Sequence, residues 1–117
     1  MPTDEILRPS APYKSILQSV SVVSDTTTAS SDGSNNWQFD IYKGNPGSGV
    51  SMLTGSKTTN GSEITAYTAY DLGAVHATNK YLSANDVLVI RVTKNGTPTS
   101  LSSANLHFSA EIKKDLG

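Results

Sequence analysis

The chain contains no cysteine. That excludes disulfide staples, thiolate metal sites and cysteine nucleophiles, so stability has to come from packing or from assembly. Charge is sparse as well. Nine basic residues face ten acidic ones, the net charge is −1, and both signs are scattered along the whole length. No basic stripe stands ready to neutralise phosphates, which argues against nucleic-acid binding. Long apolar runs are missing, so no membrane-spanning helix is expected. The opening MPTDEILRPSAPYK has neither a basic n-region nor an apolar h-region, and a secretory signal is not expected there.

Reactive groups are few. Histidine occurs at His76 and His107 only. No G-x-S-x-G elbow leads into a helical pattern, so Ser-His hydrolysis has no frame to work in. Asp40 is the best single carboxylate for glycosidase chemistry, but it lacks a partner at strand spacing. Glu63, Asp71, Asp86 and Glu111 are dispersed, as solvated charges are. Asp25, Asp32, Ser34 and Asn35 gather in DTTTASSDGSNN without the further acids and terminal Glu of a calcium loop. A polar turn explains that string better. No catalytic residue, no metal site and no cofactor is expected, and the chain reads as no enzyme.

What the chain does have is Ser and Thr, together about a quarter of its residues, an excess over average usage. Thr suits pleated strands and Ser suits turns. The 117 residues suit one domain. NWQFDIYK (36–43) alternates cleanly, with Trp37, Phe39 and Ile41 on one parity and Gln38, Asp40 and Tyr42 on the other. Period two over that length predicts a half-buried strand. SILQSVSVV (15–23) predicts another, with Ile16, Gln18, Val20 and Val22 on one face. NDVLVIRVTKNG (85–96) is apolar on both parities near its start, so it belongs in the middle of a sheet. Its Val87 and Val89, spare to the core, are candidates for subunit contact. ANLHFSAEIKK (104–114) directs Leu106, Phe108, Ala110 and Ile112 inward.

Short strands are also expected at 50–53 and within 63–73. Tyr81 and Leu82 are expected to tuck underneath the sheets. Turn clusters lie at 44–49 and 54–62, with Asn60-Gly61 as a tight turn. Seven or eight short strands with such turns suggest an all-β fold: a single antiparallel β-sandwich, jelly-roll or immunoglobulin-like, over residues 16–117. Residues 1–15 hold Pro2, Pro9 and Pro12. They read as an extended N-terminal arm, anchored by Ile6, Leu7 and Tyr13 if it docks and a frayed terminus if it does not.

The string WQFDIYKG…VSMLTGSKTTNGSEITAYT…YLSANDVLVIRVTKNGTPTSLSSANLHFSAEI resembles the small β-sandwich proteins that decorate capsids of tailed bacteriophages, the decoration, cement or head auxiliary proteins. The shared pattern is an aromatic strand (37–42), a Gly-rich turn, a Thr/Gly stretch (54–62), a step of the form S-A-G-D-x-L, a T-K-x-G turn and a final alternating strand. Here the step is S-A-N-D-V-L (83–88), with Asn85 in the place of Gly, and the turn is T-K-N-G (93–96). Asn tolerates the left-handed conformation that Gly would supply. The resemblance implies a non-enzymatic virion protein, made in the host cytoplasm, that binds the major capsid protein on the capsid surface, often as a homotrimer. Its capsid contacts would come from the arm: Ile6, Leu7, Pro9, Pro12 and Tyr13. The alternative from a different class is a glycan-binding β-sandwich module of a phage fibre or receptor-binding protein. It would stack sugars on Tyr42, Tyr67 and Tyr70.

Overall fold

A computed structural model describes residues 4–7, 13–43, 50–98, 101 and 106–115. It is all-β, with no helix among the described residues. The strands are β1 (Asp4–Leu7), β2 (Ser15–Ser24), β3 (Asn36–Lys43), β4 (Val50–Ser51), β5 (Lys57–Thr58), β6 (Tyr70–Asp71), β7 (Tyr81–Leu82), β8 (Leu88–Asn95) and β9 (Leu106–Lys114). They form two antiparallel sheets, compatible with a β-sandwich. The first runs β1-β8-β3-β4, with β5 also on β3. In the second, β9 follows one edge of β2 from end to end, while β6 and β7 each take a short piece of the other.

The alternating residues of β3 do what their spacing requires. Trp37, Phe39 and Ile41 are buried in a core that also takes Leu88, Ile90 and Val92 from β8. The second sheet contributes Leu17, Val20, Val22 and Phe108. Phe39 ties the two sheets: its ring centroid lies 6.3 Å from Phe108 and 6.0 Å from Tyr70, both tilted. Such pairs add about 0.5–1.5 kcal/mol each beyond the area they bury. The apolar double parity of β8 is also explained, because that strand lies between β1 and β3.

Several expectations change. In β2 the register slips between Leu17 and Ser19, so Gln18 is an extra, bulged residue. A bulge resets the in-out alternation. Leu17 therefore joins Val20 and Val22 in the core, Ile16 is half-buried on the other face, and Gln18 is exposed. Ala110 of β9 is exposed and Ile112 only half-buried, because β9 has β2 as its one strand neighbour among the described residues. The 63–73 stretch yields β6 and an isolated bridge from Ile64 to Thr28. Tyr81 is exposed, and only its neighbour Leu82 is buried.

The N-terminal segment also takes on structure. Asp4–Leu7 pairs antiparallel with β8, from Asp4 opposite Val92 to Leu7 opposite Val89. An open strand edge carries backbone donors and acceptors in need of partners, and a short extended segment supplies them. Pro9, Pro12 and the turn at 44–49 lie outside the described residues.

Candidate functional site

Three strands of the first sheet set up rows across its surface. Ile6, Ile90 and Ile41 share a register line, and the adjacent lines are Glu5–Arg91–Asp40 and Leu7–Val89–Tyr42. Arg91 stands directly opposite Asp40, a cross-strand order that favours pairing. Asp40 has no acidic partner at strand spacing; its partners are Gln38, two residues back on the same face, and Ser56 and Arg91, which the fold brings alongside. It is 8% exposed. Its carboxylate accepts a hydrogen bond from Gln38 Nε2 at 2.9 Å and one from the Ser56 hydroxyl. Gln38 in turn accepts at its Oε1 from Asn95 Nδ2 (3.2 Å), which also donates to Asn36 Oδ1 at 3.0 Å. The result is a continuous polar ladder, Asn36–Asn95–Gln38–Asp40–Ser56, on the face opposite the core. Burial without such bonds would cost several kcal/mol, about 2–7 by transfer measurements. The ladder holds β3, β5's approach and β8 together.

The end of the molecule that this ladder reaches is built from turns. Asp32 Oδ1 accepts from the backbone amides of Ser34 (2.9 Å) and Asn35 (2.7 Å). Those amides, Asn35 first, hold its carboxyl below the usual aspartate range. Asn35 Oδ1 accepts from Thr97 N at 2.9 Å and so clamps the β8–β9 connection. Gly96 has φ +67°, and a Cβ there would stand 2.5 Å from the Ser34 carbonyl oxygen. Only glycine fits. Asn85 has φ +74°, the left-handed conformation expected at the S-A-N-D-V-L step. Asp86 closes that turn by accepting from Ser83 N at 2.7 Å.

The histidines lie apart. His76 Nδ1 accepts from the backbone amides of Thr78 and Asn79, both at 3.1 Å, so it orders its own loop. His107 Nε2 is 3.3 Å from Asp25 Oδ1, with both side chains well exposed. No group of three or more His, Asp or Glu side chains converges among the described residues.

The remaining candidates are dispersed by the fold. Val89 is fully buried at 0% exposure. It is therefore part of this chain's own packing and not a free subunit contact, because β8 is flanked by a strand on each side. Val87 is half-buried just before β8. Of the three tyrosines proposed for sugar stacking, Tyr70 is removed by burial: it is 8% exposed, and its hydroxyl donates to the Thr58 carbonyl at 3.0 Å. Burial also pushes its phenol above the ordinary tyrosine range, partly opposed by a hydrogen bond with Ser62. Tyr42 is half-buried on the outer face of the first sheet, whereas Tyr67 is 77% exposed at a turn beside the end of β2. These rings do not form one platform.

Tyr67 also has φ +57°, uncommon for a bulky residue. Its amide donates to the Ser24 carbonyl at 2.8 Å, which fixes the turn. Tyr13 is exposed, and Lys114 Nζ stands 5.7 Å from its ring centroid. The sequence held no local signal for the Asp40 ladder, which joins residues as far apart as Asn36 and Asn95.

Comparisons of the chain with family models, with curated proteins and with solved structures return no match.

Proposed function

We propose that this chain is a non-enzymatic structural protein of a virion. In this reading it is a decoration or cement protein that binds the assembled capsid surface of a tailed phage and stabilises it. The observation that carries the reading is the backbone at two turns. The S-A-N-D-V-L step has Asn85 in the left-handed region, and the T-K-N-G turn has Gly96 where no side chain fits. These are the positions at which the resemblance to decoration proteins asks for glycine-like geometry. The two antiparallel sheets accord with the jelly-roll or immunoglobulin-like sandwich of that family.

The physics of the role is linkage. A protein that binds only the assembled lattice stabilises it by mass action, and many copies sum. Such a protein needs contact surface and no reacting group. The N-terminal segment, with Ile6, Leu7, Pro9, Pro12 and Tyr13, supplies capsid contacts in this reading, and copies group as trimers at local three-fold positions of the major capsid protein. The test mixes the full chain with expanded, undecorated particles of the virus that encodes it. Co-sedimentation at micromolar concentration and a higher temperature of particle disruption are expected. Full-length, folded protein that stays in the supernatant would refute the reading.

A further inference from the structure

The lysines look scattered in the sequence, but the fold collects five of the nine basic residues at one end of the two sheets. β2 starts there, with Lys114 opposite Ser15 and Lys113 opposite Ile16 on one side. On the other side Tyr81 lies opposite Ile16, and the Lys80 carbonyl accepts from Leu17 N at 2.8 Å. Lys43, at the end of β3 in the other sheet, donates to the Tyr81 carbonyl at 2.9 Å. Lys14 lies 3.8 Å from Asp115. Among the described residues, Asp115, Asp86 and Glu111, the last opposite Ser19 and two residues along β9 from Lys113, are the acids nearest this end. The opposite half carries Asp25, Asp32, Glu63 and Asp71 against Lys57 and Lys94, so a chain of net charge −1 has its lysines weighted toward one end.

The same end exposes aromatic surface. Tyr81 is 46% exposed and shares the outer face of the second sheet with half-buried Ile16, which the bulge at Gln18 has turned outward. Tyr13 adds a second exposed ring. Around this centre the lysines form the rim, with Lys80 Nζ 5.5 Å from the Tyr81 ring centroid. An aromatic and aliphatic centre inside a charged rim is how protein interfaces are built.

From this geometry we infer that the Tyr13–Ile16–Tyr81 centre with its lysine rim is a docking surface for an acidic protein face that carries apolar side chains. The inference is independent of whether the partner is a capsid. Nucleic acid fits less well: both rings already have a cation over them, no arginine fork is present among these residues, and Asp86, Asp115 and Glu111 border the patch.

The test maps amide chemical shifts of the full chain with three probes of matched charge: a soluble peptide alternating Glu and Leu, poly-glutamate, and duplex DNA. The Glu-Leu peptide should shift residues 13–16, 80–82 and 113–115 and bind more tightly than poly-glutamate. Lys80→Glu with Lys113→Glu should weaken both peptides by roughly tenfold or more, since opposed charges become like charges. Tyr81→Ala should erase the advantage of the Glu-Leu peptide while leaving poly-glutamate binding unchanged. Three results overturn the inference: shifts centred on Lys57 or Lys94, equal affinity for the two peptides, or tighter binding of the DNA. Concentration-dependent shifts at the same residues in the protein alone would assign the surface to a second copy, and would equally overturn it. The wild-type map decides the matter even if a variant fails to fold.

Discussion

Gly61 and Gly96 have nearly the same backbone conformation, φ +65° and +67°, in different surroundings. Replacing each by alanine separates the cost of the dihedral from the cost of the neighbours. At Gly61 a Cβ would meet nothing within 4 Å. Only the left-handed conformation is then penalised, by about 1–2 kcal/mol. At Gly96 the new Cβ would stand 2.5 Å from both the Ser34 carbonyl oxygen and Asn35 Oδ1. The carbonyl belongs to a turn held by Asp32, and Asn35 Oδ1 is the acceptor for Thr97 N and Thr97 Oγ1. Moving it aside forfeits those two bonds at about 1 kcal/mol each. Gly96→Ala should thus lose about 3–4 kcal/mol in all, roughly 2 more than Gly61→Ala. Urea unfolding followed by the fluorescence of Trp37, the single tryptophan, reads both losses directly. The m-value should stay constant if only stability has changed. Equal losses for the two variants would refute the reasoning, because they would mean that the contacts at Gly96 carry no energy.

Further expectations follow from the same kind of accounting. Deleting Gln18 should leave a folded protein, since Leu17 and Val20 then fall on one face without a bulge, whereas deleting Ser21 should flip Val22 out of the core and abolish cooperative unfolding. Asp40→Ala leaves the Gln38 and Ser56 donors without their acceptor and should cost about 2 kcal/mol in a urea titration. Tyr70→Phe removes the bond to Thr58 and should cost about 1 kcal/mol at neutral pH. Because the Tyr70 phenol is raised in the folded state, its contribution is present at neutral pH and is lost as pH rises through and beyond the ordinary tyrosine range near 10. Wild type should therefore lose stability there faster than Tyr70→Phe. Asp32 has the opposite sign: its lowered carboxyl adds stability above the ordinary aspartate range, and this is lost as pH falls through and below that range. Asp32→Asn should flatten that acid limb of the stability profile.

Strands β3 and β8 are legible because one alternates over eight residues and the other opens on an apolar run at both parities, enough for period and double burial to show. Asn85 and Gly96 were legible too, since few residues tolerate positive φ. The face of β2 is not legible, because a bulge leaves no mark in the sequence; Gln18 resembles any other polar residue. β4 to β7 span two residues each, too few for any period to appear. Tyr81 sits beside Leu82 in such a piece, so nothing local said which of the two would face out. The partners of Asp40 and the gathering of lysines depend on which strands are neighbours, and pairings across the chain are not written into local spacing.

Strand β1 occupies the outer edge of β8 over Val89 to Val92. Should that first segment be drawn away toward another molecule, the backbone of β8 would be left with vacant donors and acceptors along a strand that is apolar but for Arg91 over those four residues. Recruitment of the N-terminus elsewhere and unwanted zipping of neighbouring copies are thus two outcomes competing for a single seam. A preparation trimmed at its front end should pay for the loss in clumping before it does so in melting.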